Sequence, residues 1–184
     1  MFKSIITLLA LAGLLGAVQA SEKAPVCHTG ADYEHHRLDS DQVDNLCQQF
    51  RDKVVLVVNT ASRCGFTDQY DDLEKLYARY RERGLLVVGF PSNDFANQEP
   101  GDEKSIKAFC RLTYGVEFPM YGKTSVKAGK AHPFCRALGE ASGETPRWNF
   151  HKYLLDRQGR LVGSWQSREE PLGKTITRAI EAAL

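Results

Sequence analysis

The sequence predicts an α/β protein, a three-layer sandwich around a central mixed β-sheet. Three observations carry this. Two short, continuously apolar runs, Val54-Val55-Leu56-Val57-Val58 and Leu85-Leu86-Val87-Val88-Gly89-Phe90-Pro91, read as strands buried on both faces. Between them Leu73, Leu76, Tyr77 and Tyr80 recur at i, i+3, i+4 and i+7, an amphipathic helix. Strand, helix and strand in that order make a right-handed βαβ unit with parallel strands. Further on, residues 150–155 and 160–165 flank Asp156-Arg157-Gln158-Gly159, a hairpin that adds antiparallel strands.

The chain of 184 residues has the length of one ordinary domain. Its formal net charge of +1 gives no ground for nucleic acid or an anionic membrane as partner. The first stretch stands apart. Lys3 precedes an apolar run from Ile5 to Val18, Val18-Gln19-Ala20 fits a small-x-small cleavage site, and polar Ser21-Glu22-Lys23 follow. Residues 1–20 are expected to be a signal peptide and residues 21–184 the exported domain, periplasmic or secreted. The apolar run is short for a stable membrane anchor.

Export would change the meaning of the five cysteines, because disulfides persist in oxidising compartments. Five is odd, so one thiol at least stays unpaired. Cys27 and Cys47 lie near the start of the expected mature chain and are proposed as a structural disulfide worth about 3 kcal/mol in the chain-entropy model. Between them His28, His35 and His36 mix with acids. No metal-ligand spacing recurs there, so a solvated loop or short hairpin is expected, with no metal site.

The remaining elements follow in order. A strand, turn and helix fill residues 53 to 82, and Gly84 stops the helix. The loop from Ser92 to Gly101 is rich in turn formers and leaves the carboxyl end of the second strand, where open α/β sheets bind ligands. A second helix opens at Gly101-Asp102-Glu103, with Ile106, Phe109, Cys110 and Thr113 on one face. Val116 to Met120 reads as a short strand, Ala131 to Leu138 as a short helix carrying Cys135. After the hairpin, Ile176, Ala179, Ile180 and Ala183 mark a last amphipathic helix. The order resembles a thioredoxin-like fold with an inserted helix.

The stretch from Asn59 to Thr67 joins the first central strand to its helix, which places Cys64 near a helix N-terminus and beside Arg63. Both features favour a thiolate. A thioredoxin-type exchanger would carry Cys-x-x-Cys here, but the turn is Cys64-Gly65-Phe66-Thr67. A lone activated thiolate suits attack on a peroxide oxygen or on a carbonyl carbon. Hydrolysis would need His132 or His151 as base. The Cys64 loop and the Gln98 loop leave the same sheet edge, so Gln98 can approach Cys64.

Three separated motifs resemble those of the glutathione peroxidases, in particular the non-selenium, thioredoxin-dependent kind in an exported, bacterial-like form. They are Val57 to Thr67 around Cys64, Gly89 to Phe95 continuing through Gln98-Glu99-Pro100-Gly101, and Trp148 to Leu154. The likeness runs from about Asp52 to the C-terminus. It implies that Cys64 is peroxidatic and that Gln98, Trp148 and Asn149 complete the family's tetrad. The indole N–H and the amide NH₂ groups would donate to thiolate and leaving oxygen. It also implies that Cys110 is the resolving thiol, which needs the helix over 102–113 to unwind locally. No bound cofactor is implied. The expected partners are hydrogen peroxide or organic and lipid hydroperoxides, with a thioredoxin-like protein or glutathione as reductant. A redox sensor that passes oxidation to a partner thiol would use the same residues. Ser92 stands where many relatives have another Cys, and Asp94 replaces a common Gln. The short stretch between Met120 and Trp148 points to a monomer.

Overall fold

The computed structural model describes residues 24–28 and 30–184; the signal-peptide reading of residues 1–20 lies outside them. The chain begins with a small antiparallel hairpin, β1 (Glu34–His36) and β2 (Val43–Asn45), followed by a single turn, α1 (Leu46–Gln49). Then come β3 (Val54–Thr60), α2 (Gln69–Tyr80), β4 (Leu85–Pro91), α3 (Glu103–Tyr114), α4 (Pro133–Ser142), β5 (Lys152–Leu155), β6 (Leu161–Trp165) and α5 (Lys174–Ala183). The main sheet has the order β4-β3-β5-β6. β3 and β4 are parallel, while β5 runs antiparallel to both β3 and β6. This is the mixed sheet the sequence predicts.

The side-chain alternation of β3 sorts the two cores. Val54, Leu56 and Val58 face Leu73 and Leu76 of α2, Ile106 and Cys110 of α3, and Ile176 and Ile180 of α5. Val55 and Val57 face Leu46 of α1 and Phe134, Cys135 and Leu138 of α4. Both faces of β3 are therefore covered, which is why its sequence is a continuous apolar run rather than an alternation. The helices stop where chemistry requires. Asp102 caps α3 by accepting from Ser105 N, and Gly115 ends it in a left-handed conformation. Gly84 plays the same part after the 3₁₀ turn that extends α2.

One expected strand is absent. Val116 to Met120 meets β4 only through a single parallel bridge, Gly89 with Met120. Pro119 O accepts from Gly89 N at 3.0 Å and Tyr121 N returns a bond to Gly89 O at 2.9 Å, but Pro119 has no N–H with which to extend the ladder back along β4. Thr113, placed by spacing on the inner face of α3, is exposed, because the apolar stripe has rotated past it by the helix end.

The disulfide Cys27–Cys47 is formed, with Cα atoms 5.1 Å apart. It ties the N-terminal segment to α1, and Cys27 N donates to Gly159 O in the β5–β6 turn. Gly159 has φ +74°, and a Cβ there would lie 2.2 Å from the Cys27 carbonyl oxygen, so this crossing admits only glycine. Of the hairpin histidines, His36 Nε2 lies 2.8 Å from Glu103 Oε1, at the first turn of α3.

Candidate active site

Cys64 sits in the turn that leaves β3, buried to 6% exposure. Thr67 closes that turn, since both its N–H and its hydroxyl donate to the Cys64 carbonyl, at 3.2 and 3.0 Å. α2 begins just beyond, at Gln69. The 92–101 loop lies alongside. Arg63 N donates to Gln98 O at 3.0 Å and Ser62 N to the Glu99 carboxylate at 2.9 Å, so two consecutive residues of one loop are fastened to two of the other. Ala96 and Asn97, immediately before Gln98, both have φ +51°. Left-handed backbone at successive non-glycine residues costs energy and persists only where surrounding contacts impose it.

The third segment arrives from the far end of the chain. Asn149 Nδ2 donates to Gln98 Oε1 at 2.9 Å, which joins two of the expected site residues directly. Asn149 is fully buried and its Oδ1 has no hydrogen-bond partner. Trp148 is 37% exposed, with its ring 6.0 Å from that of Phe95. The next residue, Phe150, has φ +62°, which is unusual for so large a side chain. That kink reverses the chain between the site and β5.

Asn59 holds the kink. It occupies the last turn of an otherwise apolar strand and is buried. Its side chain donates to Trp148 O at 3.1 Å and accepts from His151 N at 3.0 Å, while its own carbonyl accepts from Phe150 N at 2.6 Å. Sequence reasoning did not single out Asn59. The signal available was a polar amide ending a β-branched run, at the sheet edge where the site would lie.

Lys152 was also missed. Its side chain is fully buried, and Nζ donates to Gln69 Oε1, Ser167 O and Glu169 O. Gln69 in turn donates to Ser167 O at 2.7 Å. The ammonium thus fastens the first residue of α2 to the loop after β6. Burial pulls its pKa from the ordinary lysine value down to about 7. Asp94, where the family commonly has Gln, accepts from Ser125 Oγ, Val126 N and Lys127 N and so orders the 125–127 turn.

Cys110 lies on the inner face of α3, 2% exposed, in the same core cluster as Cys64. Burial pushes its thiol up to about 11. Cys135 is buried in the opposite core, where burial raises its thiol to about 12. The two histidines that hydrolysis would require are engaged elsewhere. His132 caps α4 and contacts Glu34 O, and His151 Nε2 contacts Ser164 Oγ while its ring lies tilted against that of Tyr153.

Known proteins are similar to this chain. Residues 32–139 match the sequence family described as Glutathione peroxidase. That span contains Cys64, Gln98 and Cys110 but stops short of Trp148 and Asn149. The Glutathione peroxidase homolog BsaA of Halalkalibacterium halodurans is 46% identical over 127 residues, 67% of this chain and 81% of that protein. The Hydroperoxy fatty acid reductase gpx1 of a Synechocystis strain is 46% identical over 134 residues, 67% of this chain and 79% of its own. A solved structure, Trgpx in apo form, superposes with a TM-score of 0.67 at 32% identity, covering 88% of this chain and 96% of that one. On the family match and these identities, the chain belongs to the glutathione peroxidase family and is a peroxidase of its cysteine-dependent branch.

Proposed function

We propose that the protein reduces hydrogen peroxide and organic or lipid hydroperoxides at Cys64, and that Cys110 resolves the oxidised form. The observation that carries this is the hydrogen bond from Asn149 Nδ2 to Gln98 Oε1, beside a cysteine loop fastened to the same Gln98 segment. With Gln98 Oε1 accepting from Asn149, the Gln98 NH₂ group is free to donate toward sulfur or the leaving oxygen. The Cys64 thiolate attacks one peroxide oxygen, the O–O bond breaks, and the other oxygen leaves as water or alcohol after protonation. Cys64 becomes a sulfenic acid. Trp148 Nε1–H and the Gln98 amide stabilise the developing charge, and the unpartnered Asn149 Oδ1 can accept from the protonated peroxide oxygen.

Cys110 then displaces hydroxide from the sulfenic sulfur to form a disulfide, which a thioredoxin-like protein reduces. Support for a protein reductant comes from the second thiol in the same core cluster. Support for lipid hydroperoxides comes from the part-exposed Trp148 and Phe66, and from the relative named for hydroperoxy fatty acids. Export to an oxidising compartment fits the Cys27–Cys47 disulfide. The protein is read as a monomer.

The test is peroxide turnover by the mature chain with thioredoxin and with glutathione. Cys64→Ser is expected to abolish turnover with either reductant. Cys110→Ser is expected to abolish the thioredoxin-driven reaction alone. Normal thioredoxin-driven turnover by Cys110→Ser would refute the two-cysteine mechanism.

A further inference from the structure

Behind the cysteine loop lies a set of buried polar groups that the peroxide chemistry does not use. Thr60 Oγ1, Ser62 Oγ and Tyr70 Oη are all buried without a well-directed hydrogen bond. The Glu99 carboxylate is 1% exposed and accepts from Ser62 N at 2.9 Å. These groups make two neighbouring sets, and the Glu99 charge is felt at both Tyr70 and Cys110. The Tyr70 hydroxyl faces both the Cys110 thiol and the Thr60 hydroxyl. The Ser62 hydroxyl faces Glu99. Thr60 and Ser62 are two residues apart where β3 ends. Hydroxyls can each accept one proton and pass on another, and buried ones without partners are where ordered water or proton exchange is found.

We propose that Glu99 accepts the proton of Cys110, through the hydroxyls of Tyr70, Thr60 and Ser62, in the step that joins Cys110 to oxidised Cys64. The proposal rests on the reading of Cys64 as peroxidatic and Cys110 as resolving. The need for a base is set by burial. With its thiol near 11, Cys110 would be ionised by bulk water in only about one molecule in ten thousand at neutral pH. Glu99 is itself raised by burial above the ordinary carboxylate range, which makes it a better proton acceptor, while Arg63 and Lys123 nearby favour its ionised form.

The proton leaves Cys110 for Glu99 while the thiol still faces Tyr70. The Cys110 sulfur then attacks the Cys64 sulfur, the S–O bond of the sulfenic acid breaks, and hydroxide departs. Hydroxide takes up the proton from Glu99, giving one water and one disulfide. The peroxide has supplied the oxidising equivalents.

The experiment mixes reduced full-length protein with one equivalent of hydrogen peroxide, quenches with a thiol-alkylating reagent over time, and reads sulfenic acid and Cys64–Cys110 disulfide by mass. Glu99→Gln keeps an oxygen to accept from Ser62 N but cannot take a proton. It is expected to slow disulfide closure at least tenfold more than it slows sulfenic acid formation. It is also expected to make closure rise about tenfold per pH unit toward the Cys110 pKa, where the native rate is flat. Tyr70→Phe, which breaks the relay and leaves Glu99 in place, is expected to give the same pH slope. Equal slowing of both steps with a native pH profile would mean that Glu99 only shapes the loop, and would overturn the proposal. So would closure at the native rate in Glu99→Gln. Absence of any Cys64–Cys110 disulfide in the oxidised native protein would overturn the resolving role and this proposal together, and is distinguished from failure of Glu99 alone by the native sample.

Discussion

Removing the Asn59 side chain should uncouple the third segment of the site from the sheet. Asn59→Ala deletes two hydrogen bonds, to Trp148 O at 3.1 Å and from His151 N at 3.0 Å. His151 is fully buried, so its N–H loses a partner that water cannot replace, at about 1–3 kcal/mol. The bond to Trp148 O lies nearer solvent and contributes about 1 kcal/mol. Together these give about 2–4 kcal/mol, or a fall in melting temperature of roughly 5–15 °C for a domain of this size. The same two bonds hold the left-handed Phe150, so their loss lets Asn149 and Trp148 shift. A displacement of about 1 Å at a reacting centre costs on the order of a hundredfold in rate. The assay pairs thermal unfolding with the second-order rate of Cys64 oxidation by hydrogen peroxide, at a temperature well below both melting points. The expected result is a lower melting temperature together with a rate reduced tenfold to a hundredfold. A melting temperature lowered as calculated, with a rate within twofold of native, would refute the idea that Asn59 positions the catalytic segment.

Lys152 gives the protein a distinct alkaline signature. Its folded pKa of about 7 lies below the unfolded value of 10.5, so between those limits only the unfolded chain binds the proton and stability rises with pH by about 1.4 kcal/mol per unit. That contribution is fully present above 10.5 and lost as pH falls through 7. Lys152→Met should remove this slope in pH-dependent denaturation, and an unchanged slope would locate the effect elsewhere. Replacing Cys27 and Cys47 by Ser should cost about 3 kcal/mol of stability, given their separation of 20 residues, while leaving the peroxide rate at Cys64 intact. Hydrogen exchange should show α3 less protected after oxidation than before; equal protection in both forms would rule out local unwinding as the means of delivering Cys110.

The strands and helices of this chain were legible where burial is uniform. β3, α2 and β4 match their apolar patterns because both cores demand apolar side chains throughout. Val116 to Met120 failed as a strand because apolar patterning says nothing of the missing N–H of Pro119. The site residues divide in the same way. Cys64 could be read from local order alone, as a thiol between strand and helix. Trp148 and Asn149 could not, since nothing near them in sequence tells an aromatic-amide pair in a site from one in a turn; the roles proposed for them come from family resemblance. Asn59, Glu99 and Lys152 were overlooked because each is a polar residue with a partner far away in sequence, 37 residues for Glu99 with Ser62, 83 for Lys152 with Gln69 and 92 for Asn59 with His151. Their work is to hold segments together, and it becomes visible only when the segments meet.

The position of the Cys27–Cys47 bond has a chemical consequence of its own. β5 pairs Lys152 with Val58 at the carboxyl end of β3 and Leu155 with Val55 near its amino end, so the β5–β6 turn that receives Cys27 lies at the pole opposite the Cys64 loop. The length of the strands therefore separates two kinds of sulfur. At one pole lies the Cys27–Cys47 crosslink, away from the Cys64 loop. At the other pole Cys64 opens onto the core it shares with Cys110, the pair proposed to cycle. Cys135, the fifth, lies on the other face of the sheet from Cys64 and Cys110, in the core against which Cys27 packs, with its proton firmly held. A chain that repeatedly makes a sulfenic acid risks scrambling every other cysteine it carries. In the proposed chemistry that hazard is met by distance, with the length of the strands between the crosslink and Cys64.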